Sequence, residues 1–89
     1  MSPTSTYNFK HLRALLDSAG ISIVEAACLF KVSRPTMYSW CAGTGPNQEL
    51  LLENALSTIN AIELAVKAED LPVAEPTCAL LRSLLNKYE

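Results

Sequence analysis

Two helix-start signatures fall in close succession in this chain: Ser22-Ile23-Val24-Glu25, then Ser33-Arg34-Pro35. In the first, serine and glutamate stand at capping-box spacing, where each side chain takes a backbone N–H that the first helical turn leaves unpaired. In the second, a capping serine precedes a proline, which a helix tolerates only in its first turn because proline has no N–H and clashes with the turn before it. A helix begun at Ser22 or Ile23 must therefore stop near Lys31 and Val32. A new one must start at once, run from about Arg34 to Cys41 and end at Gly43. Two short helices joined by about three residues have to cross at a steep angle.

The rest of the chain reads as helix too. Asn8 is a cap for a first helix in which Phe9, Leu12, Leu15, Leu16 and Ala19 recur every three or four residues, and Gly20 suits a left-handed stop. The Gly43–Asn47 stretch is a loop by its glycines and proline. Asn47 can cap a long fourth helix reaching about Ala68, with a stripe of Leu51, Leu52, Ala55, Leu56, Ile59, Ile62 and Val66. A second apolar line, Leu50, Ala61, Leu64 and Ala68, runs along another side of it, for a partner or for other helices of the same chain. Two prolines break the Glu69–Pro76 segment, and a last helix follows from about Pro76 to Tyr88 with Leu80, Leu81, Leu84 and Leu85. No alternating strand pattern and no internal repeat occurs. Residues 1–7 read as a flexible polar lead-in.

Composition bounds what such a chain can do. Its 89 residues are enough for one domain, and with 49% apolar and 18% charged residues the chain is able to bury a core. So apolar a small chain suggests a second subunit covering part of its surface. The net charge of −2 is unevenly distributed. Through Gln48, Lys10, Arg13, Lys31 and Arg34 oppose only Asp17 and Glu25. From Glu49 on, Lys67, Arg82 and Lys87 face seven acids, so the first half is the one able to meet phosphate. Cys28, Cys41 and Cys78 are odd in number and widely spaced, which argues against a zinc site or disulfide scaffold and for small core residues in a reducing cytoplasm. No apolar run is long enough to cross a bilayer and no signal-peptide core stands at the N-terminus, so the expected location is cytoplasmic.

The stretch from Ile21 to Gly43 resembles the helix-turn-helix of the lambda-repressor-like family, also called the Cro or XRE type. The matching residues are Ala27 at the helix contact, Val32 and Ser33 at the turn, Arg34 and Thr36 opening the recognition helix, Met37 and Trp40 as its buried positions, and Gly43 closing it. The resemblance implies an all-α, compact five-helix DNA-binding domain, with the helix-turn-helix over 22–42 and C-terminal helices over 47–88 serving dimerisation. Lys31 holds the turn position where that family usually carries glycine, so the backbone there must either leave the left-handed region or accept some strain. Ile23 stands where the family often has a phosphate-holding glutamine, and with Val24 it instead suits a protein contact.

The same resemblance places Ser33, Arg34, Pro35, Tyr38 and Ser39 opposite base edges. Arginine is the residue type that grips O6 and N7 of guanine bidentately. Phosphate contacts are expected from Ser22 and the amides around it, Lys31, Thr36, Thr44 and Asn47. Leu50, Leu64, Leu81, Leu85 and Tyr88 are the expected dimer interface. The function implied is a sequence-specific transcription regulator, a homodimeric repressor on double-stranded DNA. The alternative is the same fold used as a protein-interaction module, as in an antitoxin or a phage or plasmid protein. No catalytic constellation, metal-ligand cluster, cofactor motif or small-molecule pocket is visible, and His11, the only histidine, has no acidic or cysteine partner nearby in sequence.

Overall fold

The computed structural model describes residues 8–88; the lead-in expected over 1–7 lies outside the described residues. A 3-10 turn, Phe9–His11, leads into α1 (Leu12–Ala19), followed by α2 (Ile23–Phe30), α3 (Arg34–Cys41), α4 (Glu49–Lys67) and α5 (Cys78–Leu85), which ends in a second 3-10 turn, Asn86–Tyr88. Among the described residues there are five α-helices and no strand, so the described fold is all-α.

Local chemistry sets these boundaries. The side chain of Asn8 accepts the N–H of Lys10, Ser22 that of Glu25, Ser33 that of Thr36 and Thr77 that of Leu80. Each side chain thereby fills a vacancy that the first turn of a helix creates. Ser22 also donates its O–H to the Glu25 carboxylate, completing the capping box. At α4 the expected cap is displaced by one residue: Gln48, not Asn47, holds the capping position, and it makes no side-chain cap bond. The last helix starts at Cys78, two residues beyond Pro76, because Thr77 provides the cap.

The core is a single cluster drawn from all five helices. Leu12 and Leu16 of α1, Met37 of α3, Ile59 and Ile62 of α4, and Leu81 and Leu85 of α5 are its largest fully buried side chains. Trp40 joins three elements. Its ring meets Phe9 at a centroid distance of 6.0 Å and Phe30 at 5.9 Å, both edge to face, the arrangement aromatic quadrupoles favour. Ala27 is buried where α2 and α3 pack, and its small side chain lets the two backbones approach.

Two sequence-based expectations are corrected here. Leu81 and Leu85, expected at a dimer interface, are 0% and 2% exposed. They lie four residues apart, hence on one face of α5, and that face covers the apolar side of the chain's own α2 and α4. The cysteines are not the small core residues expected. Cys28 is exposed and Cys78 half-buried, and the two form a disulfide between α2 and the start of α5, with their Cα atoms 6.2 Å apart. Cys41 is a half-buried free thiol, and burial pushes its pKa up. Closing a loop across a sequence separation of 50 restricts the unfolded chain by about 4 kcal/mol in the chain-entropy description.

A hydrogen-bonded cluster ties the turn after α5 to the segment after α4. Glu69 takes a left-handed turn after α4 (φ 66°) and leads into Asp70, which accepts hydrogen bonds from the Tyr88 hydroxyl and, at 3.2 Å, from Lys87 Nζ. These two donors hold the Asp70 carboxyl below its usual pKa, Tyr88 contributing most, and the same carboxylate raises the Tyr88 phenol.

Two measurements test this account. Trp40→Ala should lower unfolding stability by about 3–5 kcal/mol in denaturant titrations, because it removes the ring shared by three elements. Asp70 has a lowered folded pKa, so its contribution is present above the unfolded carboxyl value of about 4 and is lost as pH falls through the folded value. The stability difference between wild type and Asp70→Asn should therefore be constant near neutrality and shrink in acid.

Candidate nucleic-acid interface

The outer face of α3 is built from the inside outward. An eight-residue helix is too short to be stable alone, so the burial of Met37 and Trp40 (0% and 3% exposed) fixes its rotation about its own axis. That rotation leaves Ser33, Arg34, Pro35, Tyr38 and Ser39 exposed. All five expected readers thus lie on the solvent side, and Tyr38 retains 57% of its surface. Ser33 has a second duty, since its Oγ is 2.9 Å from the Thr36 hydroxyl and also accepts the Thr36 N–H. These bonds stiffen the start of the helix beside Arg34.

A loop folds back along the same face. The Thr44 N–H donates to the Ser39 carbonyl at 3.0 Å and the Gly43 N–H to that of Trp40. Gly43 has φ 114°, and a Cβ there would stand 3.0 Å from Lys10 Cγ; one on Gly45 would stand 2.8 Å from the Phe9 ring. Residues without side chains at these two points let the loop lie flat on the domain. Thr36, Ser39, Thr44 and Asn47 come together with Gln48 around an open groove of about 320 Å³ floored by Trp40 and Leu51. Three of the expected phosphate contacts, Thr36, Thr44 and Asn47, therefore converge from α3 and the following loop.

The other two expected phosphate contacts stand apart from this groove. The Ser22 hydroxyl is engaged by Glu25, which leaves only backbone N–H groups at that helix end and sets a carboxylate beside them. Lys31 adopts the left-handed region (φ 60°, ψ 44°) as the residue closing α2. Of the two courses open to a non-glycine residue at that turn, the chain takes the strained one. The Lys31 and Val32 amides donate to the carbonyls of Cys28 and Ala27 at 3.2 and 3.0 Å, so the turn is hydrogen-bonded despite the missing glycine.

Among the described residues the ion pairs are Arg13–Asp17 and Lys87–Asp70; Lys10, Lys31 and Arg34 belong to neither. Sequence reasoning missed Lys10 and Gln48. Lys10 reaches the end of α3 only because the turn before α1 packs under Gly43, and no local pattern announces a contact between residues so far apart in the chain. Gln48 was hidden by the one-residue shift of the α4 cap.

Among the described residues no group of His, Cys, Asp or Glu gathers to hold a metal ion, and no helix is long and apolar enough to cross a membrane. Comparison of the chain with protein-family models, with curated proteins and with solved structures returned no match.

The turn strain is measurable. Lys31→Gly relieves a left-handed side-chain clash worth about 1–2 kcal/mol and gives back part of it in backbone entropy. The variant should unfold at higher denaturant concentration, with a net gain of about 0.5–1 kcal/mol.

Proposed function

We propose that the chain is a sequence-specific DNA-binding transcription regulator in which α2 and α3 act as the helix-turn-helix of a lambda-repressor-like domain. The observation that carries this reading is the two-sided character of α3. One side is locked into the core by Met37 and Trp40, while the other presents Arg34, Pro35, Tyr38 and Ser39 to solvent beside the groove that Thr36, Thr44 and Asn47 line. At 1.5 Å per residue α3 is about 12 Å long, a fit to a major groove of similar width.

In this reading Arg34, at the first position of α3, donates two hydrogen bonds to O6 and N7 of a guanine, and Pro35 or the Tyr38 ring meets a thymine methyl. Ser33 and Ser39 complete the base-facing row. Thr36, Thr44 and Asn47 around the groove hold a backbone phosphate that fixes the register of α3, and Lys31 adds positive charge at the other end. Few cations face the DNA, so affinity relies on two copies of the domain binding a palindromic operator about 34 Å apart, half-site to half-site. With Leu81 and Leu85 in the core, the contact between copies falls to Leu50 and Leu64 of α4, which are 69% and 40% exposed. A dimer seated this way represses by occupying the promoter.

A second reading, an interaction module that docks on another protein, is favoured by Val24, which keeps 54% of its surface on α2. Selection from a random DNA pool at low salt separates the two. The regulator should enrich one palindromic site, and Arg34→Ala should weaken that site by about tenfold or more while leaving non-specific binding unchanged, the loss expected of one bidentate base contact. Failure to enrich any sequence overturns the regulator in favour of the interaction module. Enrichment that is indifferent to Arg34→Ala overturns the assigned reader.

A further inference from the structure

The Cys28–Cys78 disulfide lies at the surface, and its surroundings favour its opening. Cys28 is exposed on α2. Cys78 is half-buried and is the first residue of α5, where the unpaired N–H groups and the helix dipole favour a negative sulfur. Arg82, one turn further along α5, sets Nη2 3.4 Å from Cys78 Sγ and 3.6 Å from Cys28 Sγ. Among the described residues Arg82 takes part in neither ion pair. A guanidinium and a helix N-terminus thus converge on the same sulfur, and both lower the pKa of a thiol.

We propose that Cys28–Cys78 is a thiol–disulfide exchange site, opened in the folded protein by a low-molecular-weight thiol of the glutathione class, with Arg82 as its positioning residue. The incoming thiolate attacks Cys28 Sγ, the more accessible sulfur. A bond forms between the reductant and Cys28 as the Cys28–Cys78 bond breaks, and its electron pair leaves on Cys78 Sγ beside Arg82. A second thiolate then attacks the reductant's sulfur in this mixed disulfide, which yields the reductant's own disulfide and releases Cys28 as a thiolate. Two electrons pass from two reductant thiols to the protein, and the two protons those thiols shed are taken up as Cys28 and Cys78 become thiols. A leaving thiol of lower pKa departs faster, so the charge around Cys78 sets both the rate and the direction of opening. Once opened, α2 loses its only covalent tie to α5 among the described residues, while the noncovalent packing between them remains. The inference rests on the geometry of α2 and α5 alone and holds whatever α3 binds.

The test uses the oxidised full chain in native buffer with reduced glutathione, acid quenching and peptide mass mapping, alongside the global unfolding rate of each variant from denaturant jumps. Reaction should run at least about tenfold faster than global unfolding, with the first glutathione adduct on Cys28 and little on Cys41, whose thiol burial raises. Arg82→Gln should slow the reaction by about fivefold and Arg82→Lys should restore most of the rate, as expected when a cation stabilises the leaving thiolate. Reaction at the unfolding rate, unaffected by Arg82→Gln, would make the disulfide a purely structural clamp. A first adduct on Cys78 would overturn the assigned leaving group.

Discussion

Everything on the exposed side of α3 depends on one ring, that of Trp40. It is held edge to face between Phe9, from the turn before α1, and Phe30, from the end of α2. Each such aromatic pair is worth about 0.5–1.5 kcal/mol beyond the area it buries. The larger effect is geometric. A helix of two turns has no stable orientation of its own, so the direction in which Arg34, Tyr38 and Ser39 point is set by the packing of Trp40 and Met37. The loop that follows rests on the same foundation, since Gly45 lies against the Phe9 ring and Gly43 against the Lys10 side chain.

The remaining helices hold this frame in place at two levels. Noncovalently, α4 and α5 close the core through Ile59, Ile62, Leu81 and Leu85, which is why Leu81 and Leu85 have no surface to offer a second subunit. Covalently, the Cys28–Cys78 bond ties α5 to the helix that supports α3. Most of the chain's acids sit in the C-terminal half, where Asp70 accepts hydrogen bonds from Tyr88 and Lys87. Among the described residues Lys10, Lys31 and Arg34, all from the N-terminal half, take part in neither ion pair.

What was legible in the sequence was local. Ser22, Ser33 and Gly20 mark their helix ends because a cap acts over three or four residues, and the structure places those ends where the residues say. The amphipathic stripe of α4 was legible in part: Ala55, Ile59 and Ile62 are buried as read, but Ala61, read onto the second apolar line, is buried with them while Leu50 and Leu64 of that line stay exposed. Asn47 misled because Asn47 and Gln48 are adjacent polar residues, and it is Gln48 that holds the capping position, without a side-chain cap bond. The two-sided nature of α3 followed from the spacing of Met37 and Trp40, but the convergence of Thr36, Thr44 and Asn47 on one groove depends on how the loop folds back.

The sequence by itself determined five helices, the sharp turn between the second and third, and which side of the third is apolar, since caps, prolines and periodicity act between near neighbours. Only the tertiary structure decided that Cys28 meets Cys78, that Lys10 lies under Gly43, and that Leu81 and Leu85 face inward. Each of these joins residues from different elements, and their meeting depends on how helices settle against a shared core. The strain at Lys31 belongs to both: the close helix starts demanded a tight turn, and the packing of α2 on α3 required that the turn be left-handed even without glycine.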